Sequence, residues 1–286
     1  MMLITGATGQ LGTAVIGQLL KRTAAPGIAV LARDPEKAAG LAQQGVSVRA
    51  GDYDDPGALA RAMAGVDRVL LIAASPSPQR LQQHQNVIDA AKTARVGLLG
   101  FTSRSFRDAQ GTGNAMMRDY FETEARIRAS GLPAVIFRNG QYLDTLPVFL
   151  GGPAVFTAGI RVPAGQGRVA YALRREMGEA VANAMLDHRG GSRSYVLTGP
   201  QAWTFSEVAR ALSAISGSAV TYTPVSDDDF VAHAVGPGMP EPMARYLAGF
   251  FADVRDHQLD QTSTDLQALL GRAPAALTDG LAELFS

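Results

Sequence analysis

The chain has 286 residues, 26 basic against 26 acidic side chains, and no cysteine. At this length roughly three quarters of the unfolded surface can be buried, so a core needs no metal or disulfide staple; without cysteine, thiol nucleophiles, cysteine-ligated zinc and iron–sulfur clusters are excluded together. The basic residues are scattered among acids rather than gathered in a stripe, which argues for a small-molecule partner and against a nucleic-acid surface.

The first element is a short apolar strand, Met1-Met2-Leu3-Ile4-Thr5, that runs directly into Gly6-Ala7-Thr8-Gly9-Gln10-Leu11-Gly12. Glycines at this spacing, after a strand and before a helix, mark a dinucleotide site. Gly6 allows the sharp turn off the strand, Gly9 leaves bare backbone for a pyrophosphate, and Gly12 lets the next helix pack close to the sheet. That helix is read from Leu11, Val15, Ile16, Leu19 and Leu20. Its first N–H groups, at Gln10 and Leu11, and its positive dipole end favour an anion without a basic side chain. The second strand, Ile28-Ala29-Val30-Leu31, ends at Ala32-Arg33. An acid at this terminus would pair with ribose hydroxyls, whereas the planar fork of Arg33 suits the extra phosphate of NADPH. Asp34, ahead of Pro35, is read as a helix cap, as is Asp55 ahead of Pro56.

Strand three is expected at Val46–Ala50, and Asp52 just beyond it serves either the adenine amino group or a turn. Strand four is expected at Val69–Ala74, a helix at Arg80–Ala94, strand five at Leu98–Thr102, a helix at about 114–130, and strand six at Ala134–Arg138. Strands alternating with helices predict an α/β, Rossmann-type doubly wound parallel sheet, with residues 1–140 as the NADPH-binding domain. Residues 141–286 read as a smaller, mixed, substrate-binding and lid-like region, some of whose segments return to the main sheet. A turn is expected at Gly151-Gly152-Pro153, a capping box at Thr204-Phe205-Ser206-Glu207, a strand at Val220-Thr221-Tyr222, and helices after Asp227, at Ala244–Val254 and at Asp265–Leu270.

The nicotinamide is expected over the carboxyl ends of strands four to six, which supply Ala74, Ser75, Thr102 and Asn139. A tyrosine followed by lysine at short-chain dehydrogenase spacing is absent, since the lysines are Lys21, Lys37 and Lys92 alone. Tyr120 is followed at that spacing by Glu124, whose charge opposes tyrosine ionisation, and Tyr171 with Arg175 lies outside the expected helix. An easily reduced acceptor therefore fits better than an alcohol. Quinones meet that demand, because stacking and positioning over the nicotinamide supply most of the catalysis. Asn139 and Tyr142 are candidate polar contacts to the acceptor, and Phe106 and Phe137 are candidate ring platforms, Phe137 reading better as core. The four histidines show no paired ligand spacing, so no metal is expected; His84 reads as a helix-surface or interdomain hydrogen-bonding residue. Ser75 and Ser103 have no acid–histidine partners, so a hydrolase is not expected. No basic leader with a cleavage site precedes the first strand, and no apolar run approaches the ~20 residues that span a bilayer, so a cytoplasmic protein free of membranes is expected.

With Ile4–Gly12, Ala32-Arg33-Asp34-Pro35, Gly51-Asp52-Tyr53, Asn86–Lys92, Glu122-Thr123-Glu124 and Arg138-Asn139-Gly140 taken together, the chain resembles the NmrA-like branch of the atypical short-chain dehydrogenases over nearly its full length. Within that branch it is most similar to the second type of bacterial NADPH:quinone oxidoreductase. The resemblance implies NADPH held by the first loop, with Thr8, and by Arg33, and a quinone near Asn139 and Tyr142. Where related reductases keep a lysine or histidine before Glu-Thr-Glu, this chain has Tyr120, the candidate proton donor, with water as the alternative. A regulator that binds the dinucleotide without turnover, a reductase of activated enones or azo compounds, and a homodimer are also compatible with these residues.

Overall fold

The structure, a computed structural model, describes residues 1–108, 115–236 and 238–285. Its first strand, β1 (Met2–Ile4), is buried at every position, as suits a parallel strand covered on both faces. The chain then alternates through α1 (Gln10–Arg22), β2 (Ile28–Ala32), α2 (Ala39–Gln43), β3 (Ser47–Ala50), α3 (Pro56–Ala62), β4 (Arg68–Leu71), α4 (Arg80–Thr93), β5 (Leu98–Arg104), α5 (Ala115–Ser130) and β6 (Ala134–Asn139). Helix α3 starts as its residues demand, with the Asp55 carboxylate accepting the Ala58 N–H beside Pro56. Asp34 likewise accepts from Glu36, but the Pro35–Ala38 segment is a tight 3₁₀ turn that only then opens into α2.

Beyond β6 come the single turns α6 (Leu146–Phe149) and α7 (Val155–Ala158), then β7 (Arg168–Val169), α8 (Arg174–Asp187), β8 (Arg193–Leu197), β9 (Trp203–Thr204), α9 (Phe205–Ser216), α10 (Asp227–Val235), α11 (Glu241–Arg255), α12 (Asp265–Leu270) and α13 (Leu277–Phe285). Seven strands form one parallel sheet in the order β3-β2-β1-β4-β5-β6-β8, while β7 and β9 make a separate antiparallel pair. The order reverses between β1 and β4, the place where open α/β sheets form a ligand crevice.

Three cores hold this arrangement. One face of the sheet packs under α1, α8 and α12, and the other under α3, α4 and α5. Helix α8 lies so close to α1 that a Cβ on Gly178 would fall 2.7 Å from Ala14 Cβ. The third core joins α9, α10, α11 and α13 around Phe251, whose ring meets Phe230, Phe250, Phe205 and Phe149 at centroid distances of 5.2, 5.3, 5.7 and 6.2 Å.

Three expectations change. Strand β4 ends at Leu71 rather than Ala74, because the next three N–H groups bond to side chains instead of a neighbouring strand. Val220-Thr221-Tyr222 is not a strand, since it makes one isolated bridge, Tyr222 to Ile160. Helix α8 and strand β8 have no assigned place in the sequence reading of residues 141–286, and they complete one helical face and extend the sheet beyond β6.

Candidate active site

The carboxyl ends of β1 to β4 surround a crevice of about 410 Å³ lined by the Gly6–Gly9 turn, Ala32-Arg33, Gly51–Tyr53 and the segment after β4. Gly6 has φ +60°, the left-handed region that glycine enters without strain. A Cβ on Gly12 would lie 2.3 Å from the Gly6 carbonyl oxygen and 2.8 Å from Ala7 Cα, so the close approach that requires this glycine is to the turn itself. Helix α1 then begins at Gln10 with Gly9 as a cap that has no side-chain bond, and with no acid in its first turn. Its leading N–H groups, at Gln10, Leu11 and Gly12, have no intrahelical acceptor, and the first turn carries no acid to compete for them. Leu11 offers only that backbone group, for its side chain is buried in the core, while Thr8 and Gln10 are exposed.

Arg33 stands at the end of β2 with 81% of its side chain exposed and its Nε 4.0 Å from Asp52 Oδ2. Asp52 uses its other oxygen to accept the Asp54 N–H, so it caps a turn while facing Arg33. The opposite wall is Ile72–Ser75 with Ser77 and Gln83, and among the described residues the buried Ser77 hydroxyl oxygen has no partner. A glycine turn, an uncapped helix start, an exposed guanidinium and an unpartnered hydroxyl around one crevice fit a phosphorylated dinucleotide. Tyr53 closes the floor: its hydroxyl bonds to Thr5 Oγ1 and to the Ile72 carbonyl at 3.0 Å, and burial pushes its pKa up, keeping it a neutral phenol.

The acceptor side departs further from expectation. Asn139 is only 1% exposed, and its Nδ2 donates to the Tyr142 hydroxyl at 3.0 Å, while Oδ1 has no partner among the described residues. It thus orients Tyr142 rather than opening onto a ligand. Tyr142 is half-buried beneath the Arg174 guanidinium, 4.6 Å from the ring centre; burial raises its pKa, against the pull of Arg104 and Asn139. Phe106 is not a platform: it is buried in the third core, edge-on to Phe121 at 6.5 Å. Phe137, as its strand position suggests, is also core, stacked on Tyr195. Thr102 does not line the crevice, because its Oγ1 is buried and accepts the Ala73 N–H at 2.9 Å.

The charge beside Tyr120 is cationic. The Arg80 carbon Cζ sits 4.7 Å from the Tyr120 ring centre, and Arg80 is held by Asp119 at 2.9 Å. Glu124 turns away, fully buried and compensated by Ser103, Arg128 and Arg138 at 2.7, 2.6 and 2.7 Å. The Tyr171–Arg175 spacing has no chemistry: Tyr171 is buried in the third core and Arg175 pairs with Glu283. His84 is not a surface residue, being fully buried between the segment after β4 and α5. Ser77 and Gln83 belong to no motif, and their only signal in the sequence is position, in and just after the segment that follows a Rossmann-type fourth strand. Among the described residues no cluster of His, Asp and Glu could hold a metal, and no helix is long and apolar enough to cross a membrane.

Comparison with known proteins places these features in context. A family model described as the NmrA-like family matches residues 1–279. The chain is 37% identical to quinone oxidoreductase 2 of Escherichia coli strain K12, covering 100% of this chain and 99% of that protein. It is 30% identical to the NAD(P)H azoreductase of Xenophilus azovorans over 88% of this chain and 86% of that one. Among solved structures, the NADPH complex of the Escherichia coli NADPH-dependent quinone oxidoreductase QOR2 superposes with a TM-score of 0.91 at 35% identity, covering 100% of each chain.

Proposed function

The chain belongs to the NmrA-like family, and from that premise we propose that it is an NADPH-dependent quinone oxidoreductase that reduces a quinone to the hydroquinone. The observation that carries this reading is the crevice where the sheet order reverses, with an acid-free helix start on one side and Arg33 on the other. NADPH, when bound, supplies the hydride; everything else is the work of this chain. Gly6, Thr8, Gly9 and Gly12 with the N–H groups of Gln10 and Leu11 receive the pyrophosphate. Arg33 would hold the additional phosphate and Asp52 the adenine amino group, while Ala74 and Ser75 would line the nicotinamide half of the crevice. Thr102 acts through the Ala73 backbone.

Tyr142, oriented by Asn139 and kept a neutral phenol by burial, contacts the acceptor oxygen. Tyr120, under the Arg80 cation, is the proposed proton donor to that oxygen, and its proton is then restored from water. The same reading has the enzyme acting in the cytoplasm on a small molecule. The test is NADPH oxidation with and without a small benzoquinone, set beside direct titration of NADPH. Turnover that depends on the quinone is expected; tight binding without turnover would make the protein a dinucleotide-reporting regulator instead. Replacing Tyr120 by Phe should lower kcat by about a hundredfold if it is the general acid, whereas an unchanged rate would assign the proton to water.

A further inference from the structure

The segment that follows β4 commits three consecutive backbone N–H groups to buried side chains. Ile72 donates to Thr5 Oγ1 at 3.1 Å, Ala73 to Thr102 Oγ1 at 2.9 Å, and Ala74 to His84 Nε2 at 2.9 Å. Thr102 belongs to β5, and Thr5 is the residue that follows β1. The third, His84, reaches across from α4, and it is the one that fixes the residue furthest from the sheet. An imidazole that accepts at Nε2 in its neutral form carries its proton on Nδ1. Here Nδ1 lies 2.8 Å from Thr123 Oγ1, and that hydroxyl donates onward to the Asp119 carbonyl at 2.7 Å. Because the Thr123 proton goes to the Asp119 carbonyl, its oxygen can only accept from Nδ1–H, and the sense of every bond in the series is fixed.

We propose that His84 is a positioning residue for the dinucleotide site: its Nε2 lone pair anchors the Ala74 backbone and so holds the Ala73–Ser75 wall of the crevice in the form that receives the cofactor. The proposal rests on reading that crevice as the NADPH site. Its reach is longer than one loop, because Asp119 also holds Arg80, and Arg80 lies over Tyr120. The wall of the cofactor crevice and the proposed proton donor are thus tied to the same turn of α5.

The surroundings of the ring keep it in this state. His84 is fully buried with the Phe101 ring against it from β5, and it faces two cations, Arg80 from its own helix and Arg126 from α5. Asp119 from α5 neutralises the first of these. Burial above all, then the two arginines, pushes the His84 pKa down to about 3, so the lone pair stays available throughout the neutral range. A protonated ring would present a second N–H to the Ala74 N–H and break the anchor.

The first test uses the ligand-free protein. With ¹⁵N-labelled histidine, the His84 ring nitrogens should report the Nδ1–H tautomer unchanged between pH 8 and pH 5, and the Ala74 amide should be protected from exchange. An Nε2–H tautomer, or titration near the ordinary histidine value, would overturn the proposal. The second test is the NADPH dissociation constant, read by cofactor fluorescence alongside a thermal melt. H84L removes both ring contacts and should weaken NADPH about tenfold or more, the scale of a buried group left unsatisfied. H84Q keeps an acceptor at the reach of Nε2 and should recover most of that loss; a merely structural role would not separate the two variants. Should H84L not fold, Thr123→Val releases the Nδ1 end without touching the wall, and mixed tautomers with weaker NADPH binding are expected. Unchanged affinity in each folded variant would overturn the proposal. A wild-type protein that binds no NADPH would overturn the cofactor reading, while the tautomer and the Ala74 protection would still decide the anchor.

Discussion

At Gly9 and Gly12 of the glycine turn the close neighbours are backbone atoms, whereas around Phe251 the contacts are rings against rings. The first region works because atoms are missing: a Cβ on Gly12 would occupy the space of the Gly6 carbonyl at 2.3 Å. The second works because atoms are present, packed so that the central phenylalanine is fully buried. The two regions therefore break in opposite ways. Adding a methyl group at the turn damages ligand binding, and removing a ring from the aromatic core damages stability.

Gly12→Val is the sharpest form of the first statement. With no flexible side chain to yield, the turn and the start of α1 must separate, so NADPH binding should fall below detection in a fluorescence titration. Retained affinity would show that the turn is not the pyrophosphate site. Phe251→Ala tests the second. Loss of a fully buried ring costs about 3–5 kcal/mol, so the denaturation midpoint should drop steeply. The folded variant should bind NADPH as the wild type does, because no aromatic of that cluster lines the crevice. Weakened NADPH binding at 10 °C, where the variant is folded, would mean that the two regions are one energetic unit.

The same contrast explains what could be read in the sequence. The turn was legible because its signal is local: three glycines, a strand before them and a helix after them within a dozen residues. The caps at Asp55 and Thr204 were legible for the same reason. The buried face of helix α8 gives a weak apolar signal because half of it is alanine and glycine and it includes Glu176, with Met177, Val181 and Met185 as its larger apolar residues. In strand β8 only Tyr195 and Leu197 are buried, too few to announce a strand. Phe106 was read from ring chemistry, but tertiary packing against Phe121 decides its place. His84 looked like a surface residue between glutamines, and its partners, Ala74 and Thr123, lie on different elements 10 and 39 residues away. Local conformation leaves a mark in sequence, while contacts made only by folding do not.

Arg33 refines the comparison within the crevice itself. Its guanidinium is exposed and only 4.0 Å from Asp52, a loose pair that contributes little to stability. Arg33→Ala should leave the melting temperature unchanged and weaken NADPH about ten- to hundredfold, the worth of charge-assisted bonds to a phosphate, with NADH little affected. Equal weakening of both cofactors would remove the assignment of NADPH over NADH.

The smallest effect is expected at the edge of the aromatic core, where the Thr204 Oγ1 accepts the Glu207 N–H at 3.2 Å and the Thr204 N–H donates to the Glu207 carboxylate at 2.8 Å. Thr204→Ala removes one half of this capping box and should cost about 1 kcal/mol, with NADPH binding unaltered. The loss should depend on pH with a definite sign. The Thr204 backbone N–H, then its hydroxyl and Arg168 and Arg210, hold the Glu207 pKa below the ordinary carboxylate value, against the effect of burial. A carboxylate depressed on folding contributes stability that is complete above its unfolded pKa and fades as pH falls through the folded one. The alanine variant keeps the backbone donor but lacks the hydroxyl, so its Glu207 is depressed less. The stability gap between wild type and variant should be constant near neutrality and narrow below about pH 4.5 in parallel denaturant titrations. A gap that stays constant into acid would show that the hydroxyl accepting the Glu207 N–H, not the charged pair, carries the cap.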